Sequence, residues 1–181
     1  MFTVQNHYVD QAEFLASPNF SERPRGVKIS LLVIHNISLP PGEFGGNHVI
    51  DFFLNKLDSS QHPFFEKISD MKVSSHLFLD RKGKLIQFVG LDKKAWHAGV
   101  SEFKDQEECN DFSIGIELEG TDTDPYTDAQ YDSLISLTNC LMESYPGITK
   151  ERVVGHSDIA PDRKTDPGES FNWSRYKNSL I

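Results

Sequence analysis

Cysteine, positive charge and long apolar runs are all scarce in this chain. Its two cysteines, Cys109 and Cys140, stand in no C-x-x-C spacing. A disulfide framework is therefore not expected, and two buried free thiols in a reducing compartment are. Lysine and arginine number 18 against 27 aspartates and glutamates, a net charge of −9. That balance argues against nucleic acid or an anionic membrane surface as a partner. The opening stretch, MFTVQNHYVDQAEFLASPNF, lacks a basic start followed by an apolar run, because Asp10 and Glu13 interrupt it. Neither a secretory signal nor a membrane span is expected there, and the expected location is the cytoplasm. Also missing are H-E-x-x-H, G-x-S-x-G and a Walker glycine loop, which removes three common enzyme classes.

What is present describes one α/β domain over 1–181, with an irregular surface arm at 1–28 and a core at 29–176. The 181 residues include 13 phenylalanines, enough bulk for one hydrophobic core. Residues 29–37 (ISLLVIHNI) form the near-continuous apolar run of a strand buried on both faces. They lead into the Pro/Gly loop SLPPGEFGGN and a short amphipathic helix from Val49 to Leu57. Residues 75–90 read as two strands joined by a glycine-containing turn. In FSIGIELEG (112–120), Ile114, Ile116 and Leu118 alternate with Gly115, Glu117 and Glu119, as a strand with one polar face would. Thr127 and Gln130 make a capping box for a helix over 128–144, halted at Pro146-Gly147. RVVGH is a last short strand and NWSRYKNSL a terminal helix. Strands interleaved with helices predict a central mixed β-sheet flanked by helices.

Chemistry is concentrated at two strand ends. His7, His48 and His62 sit in polar surroundings and read as solvent-exposed, while His76 within its strand reads as a satisfied core or edge histidine. His35 and His156 each close an apolar β-run beside a loop, where α/β sheets usually hold their sites. Two neutral imidazoles with one carboxylate match a Zn²⁺ centre whose fourth position stays open to water. Asp158, Asp162 and Asp166 all compete for the carboxylate role; the Pro after Asp166 favours it only slightly. Glu117, between aliphatic neighbours, has the setting of a partly desolvated general base, against the bland reading of an ordinary polar face.

Five segments in order, LLVIHNISLPPGEFGG (31–46), AWHAGVS (95–101), CNDFSIGIELEGTD (109–122), YTDAQY (126–131) and GHSDIAPDRKTDPG (155–168), closely resemble the zinc-dependent type 2 N-acetylmuramoyl-L-alanine amidases. Within that family the likeness is to cytoplasmic members that act on 1,6-anhydro-muropeptides in cell-wall recycling. The resemblance implies the fold shared with peptidoglycan recognition proteins. It also implies zinc on His35, His156 and Asp166, with Glu117 as general base and Lys164 as transition-state stabiliser. Asn36, Trp96, His97 and Arg163 fall at motif positions that imply substrate contact. An acidic DQEEC stretch stands before Cys109 where relatives are expected to be basic, so Lys72 or Arg163 is expected to meet the peptide carboxylates. The implied reaction is hydrolysis of the amide between the lactyl group of anhydro-muramic acid and L-alanine, by a monomer. Two rivals remain open: a metal-free module that binds wall fragments, and an enzyme of the same fold acting on intact wall.

Overall fold

The computed structural model describes residues 2–181 and is organised around a six-stranded mixed sheet. Its strands are β1 (Glu13–Phe14), β2 (Leu31–Ile37), β3 (Leu77–Leu79), β4 (Leu85–Gln87), β5 (Ser113–Glu119) and β6 (Val153–Gly155). Across the sheet they run β6-β2-β5-β3-β4-β1. The four strands β6, β2, β5 and β3 are mutually parallel, β4 turns back antiparallel to β3, and β1 lies parallel to β4 at the edge. Five helices accompany them: α1 (His48–Phe53), α2 (Pro63–Ile68), α3 (Asp128–Ser144), α4 (His156–Ile159) and α5 (Trp173–Asn178). None among the described residues is long and apolar enough to cross a membrane.

Apolar side chains sort to the two sides of this sheet. From β5, Ile114, Ile116 and Leu118 join Leu134, Leu137 and Leu141 of α3 in the largest cluster. A second cluster gathers Phe52 and Phe53 of α1, Phe65 of α2, and Phe78 and Phe88. The α3 start is the expected capping box, with Thr127 Oγ1 accepting from Gln130 N at 3.1 Å and Gln130 Oε1 from Thr127 N at 3.1 Å. Cys109 and Cys140 are free and buried, as expected.

Several expectations need correction. The arm is not irregular: besides β1, Phe20–Glu22 pairs with Lys93–Ala95, and Val4–Gln5 with Tyr8–Val9. Its first residue lies outside the described ones. Glu13–Phe14 and Phe20–Glu22 are imposed by partners elsewhere in the chain, and at two or three residues none of these strands is long enough to show a periodicity of its own. Helix α1 stops at Phe53, short of Leu57. His156 opens α4 rather than ending β6. His62 is half-buried and caps α2, its Nδ1 accepting from Phe64 N at 3.1 Å, and half-buried His48 lies against the Phe65 ring. The supposed polar face of β5 is buried as well, Glu117 being 8% and Glu119 5% exposed.

Candidate metal and catalytic centre

Parallel pairing sets the centre's register. Glu117 on β5 stands opposite His35 on β2, and Gly155 on β6 stands opposite Ile34. His156 therefore leaves β6 beside His35, at the carboxyl ends of three adjacent parallel strands, where open α/β sheets place their ligands. The loop after α4 folds back to supply the third member. Ser157 N donates to Asp166 O at 3.0 Å, and Gly155 leaves room for this return, since a Cβ there would lie 2.8 Å from Pro167 Cδ.

His35, His156 and Asp166 thus converge. Nδ1 of His35 lies 2.9 Å from Nδ1 of His156 and 3.0 Å from Asp166 Oδ2, and the third edge, His156 Nδ1 to Asp166 Oδ2, is 3.1 Å. A tetrahedral ion with bonds of about 2.0 Å separates its ligand atoms by about 3.3 Å, close to this triangle. His156 Nε2 sits 3.0 Å from the Ala98 carbonyl, an obligate acceptor. A proton on Nε2 is satisfied there, which leaves Nδ1 able to serve as a ligand. Burial holds His35 neutral, lowering its pKa to about 4. Burial alone would raise the Asp166 carboxyl, but its contacts with His156 and His35 prevail and hold it well below the usual carboxylate range. Two imidazole nitrogens and one carboxylate oxygen at this spacing are a donor set that fits a divalent metal.

Beside the triangle, the Glu117 Oε2 atom is buried without any hydrogen-bond partner. Burial first, then the charge of Asp166, push its pKa well above the ordinary 4.5, while Lys164 acts in the opposite direction. Glu119, two residues along the same face, is occupied differently. Its Oε1 accepts from Gly45 N at 2.5 Å and its Oε2 from Arg81 N at 3.0 Å, so it fastens the 39–46 loop.

His35, Glu117, His156 and Asp166 all line a cleft of about 710 Å³. Phe52, Phe64, Ile68, Met71, Val73 and Trp96 supply its apolar wall. Lys164 and Arg163 line it too, although one Arg163 nitrogen already donates to Ala98 O and Val100 O, both at 2.6 Å. Asn36 donates to Asp122 Oδ1 at 2.8 Å, and Thr165 Oγ1 donates to the other oxygen of Asp122, an acidic residue sequence reading did not single out. Trp96 lines the cleft, and its Nε1 donates to Ser21 Oγ at 3.2 Å. His97 lines the cleft, with both ring nitrogens engaged inside the protein. Lys72 is exposed between the lining residues Met71 and Val73 and is not part of the lining. Asp158 accepts from Gly155 N at 2.7 Å to cap α4, and exposed Asp162 stands apart from the triangle. His76 is fully buried, its Nδ1 accepting from Gly115 N and its Nε2 facing Lys93 O, the satisfied core histidine expected of it.

The chain is 57% identical to the 1,6-anhydro-N-acetylmuramyl-L-alanine amidase AmpD of Haemophilus influenzae, over 92% of this chain and 90% of that one. It is 53% identical to AmpD of Escherichia coli, again over 92% and 90%. A crystal structure of a selenomethionine derivative of AmpD superimposes with a TM-score of 0.95 at 49% identity, covering 98% of this chain and 99% of the other. The E. coli amidase AmiD, solved with anhydro-N-acetylmuramic acid-L-Ala-D-γ-Glu-L-Lys, superimposes at 0.62 with 30% identity, covering 98% and 65%. The family model described as N-acetylmuramoyl-L-alanine amidase (Amidase_2) matches residues 25–169, and the chain belongs to that family of enzymes.

Proposed function

We propose that this amidase hydrolyses the bond between the lactyl group of 1,6-anhydro-N-acetylmuramic acid and the L-alanine of the stem peptide, in peptidoglycan recycling, with Zn²⁺ held by His35, His156 and Asp166. The observation that carries this reading is the near-equilateral triangle of two imidazole nitrogens and one carboxylate oxygen beside the orphaned Glu117 carboxyl. The two AmpD relatives, named for the anhydro-muramyl bond, support the substrate. Zinc, when bound, supplies Lewis acidity toward the scissile carbonyl and lowers the pKa of a coordinated water to about 7.

The chain's own residues provide the rest. Glu117 takes the proton of the attacking water and hands it to the departing alanine amine, a shuttle suited to a carboxyl whose pKa is already displaced upward. Lys164, whose charge is felt at both Glu117 and His35, stabilises the oxyanion that develops on the carbonyl. Trp96 offers an apolar face to substrate, Asn36 a fixed amide, and Arg163 and Lys72 positive charge for the peptide carboxylates. His97 belongs with these cleft contacts through its ring face. The free buried thiols fit a cytoplasmic setting, and a monomer suffices because one chain supplies every named group. Mass spectrometry of anhydro-muropeptides incubated with the protein, with and without a chelator, tests the proposal. Free stem peptide is expected only without chelator; intact substrate in both arms, at full zinc loading of the untreated protein, would overturn it.

A further inference from the structure

A histidine, rather than the more usual carboxylate or carbonyl, stands behind one of the candidate ligands. His35 Nε2 lies 2.9 Å from His97 Nδ1, and His97 Nε2 lies 3.1 Å from Ser113 Oγ. The two rings meet edge-on, 5.0 Å between centroids and 84° between planes. His97 is held there from three sides. Asn110 Oδ1 accepts from both His97 N and Ala98 N, at 3.1 and 2.8 Å, which fixes the backbone of the loop. His76, itself anchored to Gly115 N, packs on the ring at 5.6 Å. Beneath lies Gly115, where a Cβ would sit 2.5 Å from His97 Cγ. Along one face of β5, then, Ser113 receives the ring, Gly115 makes space for it and Glu117 enters the centre. Three successive alternate residues of the strand serve the same site.

We propose that His97 is a positioning residue for the metal centre: its Nδ1 accepts the Nε2 proton of His35, and its own Nε2 proton is held on Ser113 Oγ. A ligand nitrogen must be unprotonated, and an imidazole has two to choose between. With the His35 proton drawn to Nε2, the lone pair of Nδ1 faces His156 and Asp166, and the ring is kept from turning away. The opposite tautomer would put a proton on Nδ1, into the triangle, and block the ion. This inference rests on the metal reading above. It departs from a purely substrate-binding role for His97, because neither ring nitrogen is available to a ligand.

The test uses the full chain with zinc and with cobalt as a spectroscopic substitute. Wild type should bind one equivalent of either, and His35→Ala should lose it; wild type that binds neither overturns the metal reading and this inference with it. Given wild-type binding, His97→Leu should weaken zinc about 10- to 100-fold in chelator competition and shift the cobalt visible bands. His97→Asn, whose Oδ1 can accept near the place of Nδ1, should recover affinity to within about threefold and restore the bands. A Leu variant with wild-type affinity and spectrum removes His97 from the centre. Should the Leu variant fail to fold, ¹⁵N-histidine NMR of zinc-loaded wild type decides. The inference requires Nε2–H on both His35 and His97, and Nδ1–H on either overturns it.

Discussion

Replacing Gly115 by alanine adds one methyl group at the most crowded point beneath the metal centre. Its Cβ would meet His97 Cγ at 2.5 Å, Nδ1 at 2.6 Å and Cδ2 at 2.8 Å. Carbon contacts settle at about 3.5–4.0 Å, so ring and strand must part by about 1 Å. A separation of that size stretches the 2.9 Å contact from His97 to His35 beyond hydrogen-bonding range. Gly115 is not among the positive-φ glycines, so steric overlap alone carries the effect. Overpacking of this kind costs about 1–3 kcal/mol, offset by the 0.4–1 kcal/mol or so that alanine removes from the freedom of the unfolded chain. A net loss of about 1–2 kcal/mol lowers the melting temperature by about 2–8 °C for a chain of this size. Thermal unfolding of metal-free protein measures that loss, and chelator competition should show zinc affinity falling about tenfold or more in parallel. An alanine variant with wild-type melting temperature and wild-type zinc affinity would refute the account of how β5 supports the centre.

Four further outcomes are expected. Glu117→Gln should keep zinc and lose most activity, since an amide cannot accept the proton; a near wild-type rate at full zinc occupancy removes Glu117 from the mechanism. In the metal-free protein the same substitution should also flatten the pH dependence of stability. With the folded-state pKa above the unfolded value of about 4.5, the native form holds the extra proton, and stability falls as pH rises from there toward the folded value. Thermal unfolding from pH 4 to 8 should show the wild type losing ground to the Gln variant as pH rises, and parallel curves would contradict the buried-carboxyl account. Lys164→Ala should lower kcat by about two orders of magnitude with KM little changed and zinc retained, and Lys164→Arg should not rescue it; free exchange with Arg in steady-state kinetics would leave Lys164 a charge-balancing surface residue. Asp166→Ala should lose metal in equilibrium dialysis, while Asp158→Ala keeps it and loses about 1 kcal/mol of stability as a helix cap; equal metal loss in both would break the distinction.

The parts legible in the sequence are those whose signal is local. The apolar runs of β2 and β5, the Thr127–Gln130 capping box and the histidines at strand ends each carry their meaning within a few residues. His62-Pro63 at the start of α2 is equally local, a cap followed by proline in the first turn. What escaped depends on distant partners. The alternation in β5 correctly separates two faces, but only tertiary packing reveals that the acidic face is roofed by the 96–98 loop and the Gly45 turn. The local sequence favours Asp166 over Asp158 only slightly, because the difference between a cap and a member of the triangle is made by a chain reversal over Gly155. The pairing of Asn36 with Asp122, and of His97 with Ser113, likewise joins residues with no shared pattern.

The arm has a practical consequence for anyone shortening this chain. The match to the family model begins at residue 25, which invites a cut there. Yet β1 covers the outer edge of β4, with Leu15 N donating to Gln87 O and Ser17 N to Phe88 O. Gln87 in turn grips Val9 N and His7 O with its side chain. Arg23 then donates to four carbonyls, those of Asn110, Asp111, Leu91 and Ser113. Trimming to the similarity boundary would strip a sheet edge of its guard and leave those carbonyls without a donor. An uncovered β4 is a template for pairing with the same strand of another molecule. The first symptom of such a cut would be insolubility, easily mistaken for a missing catalytic part.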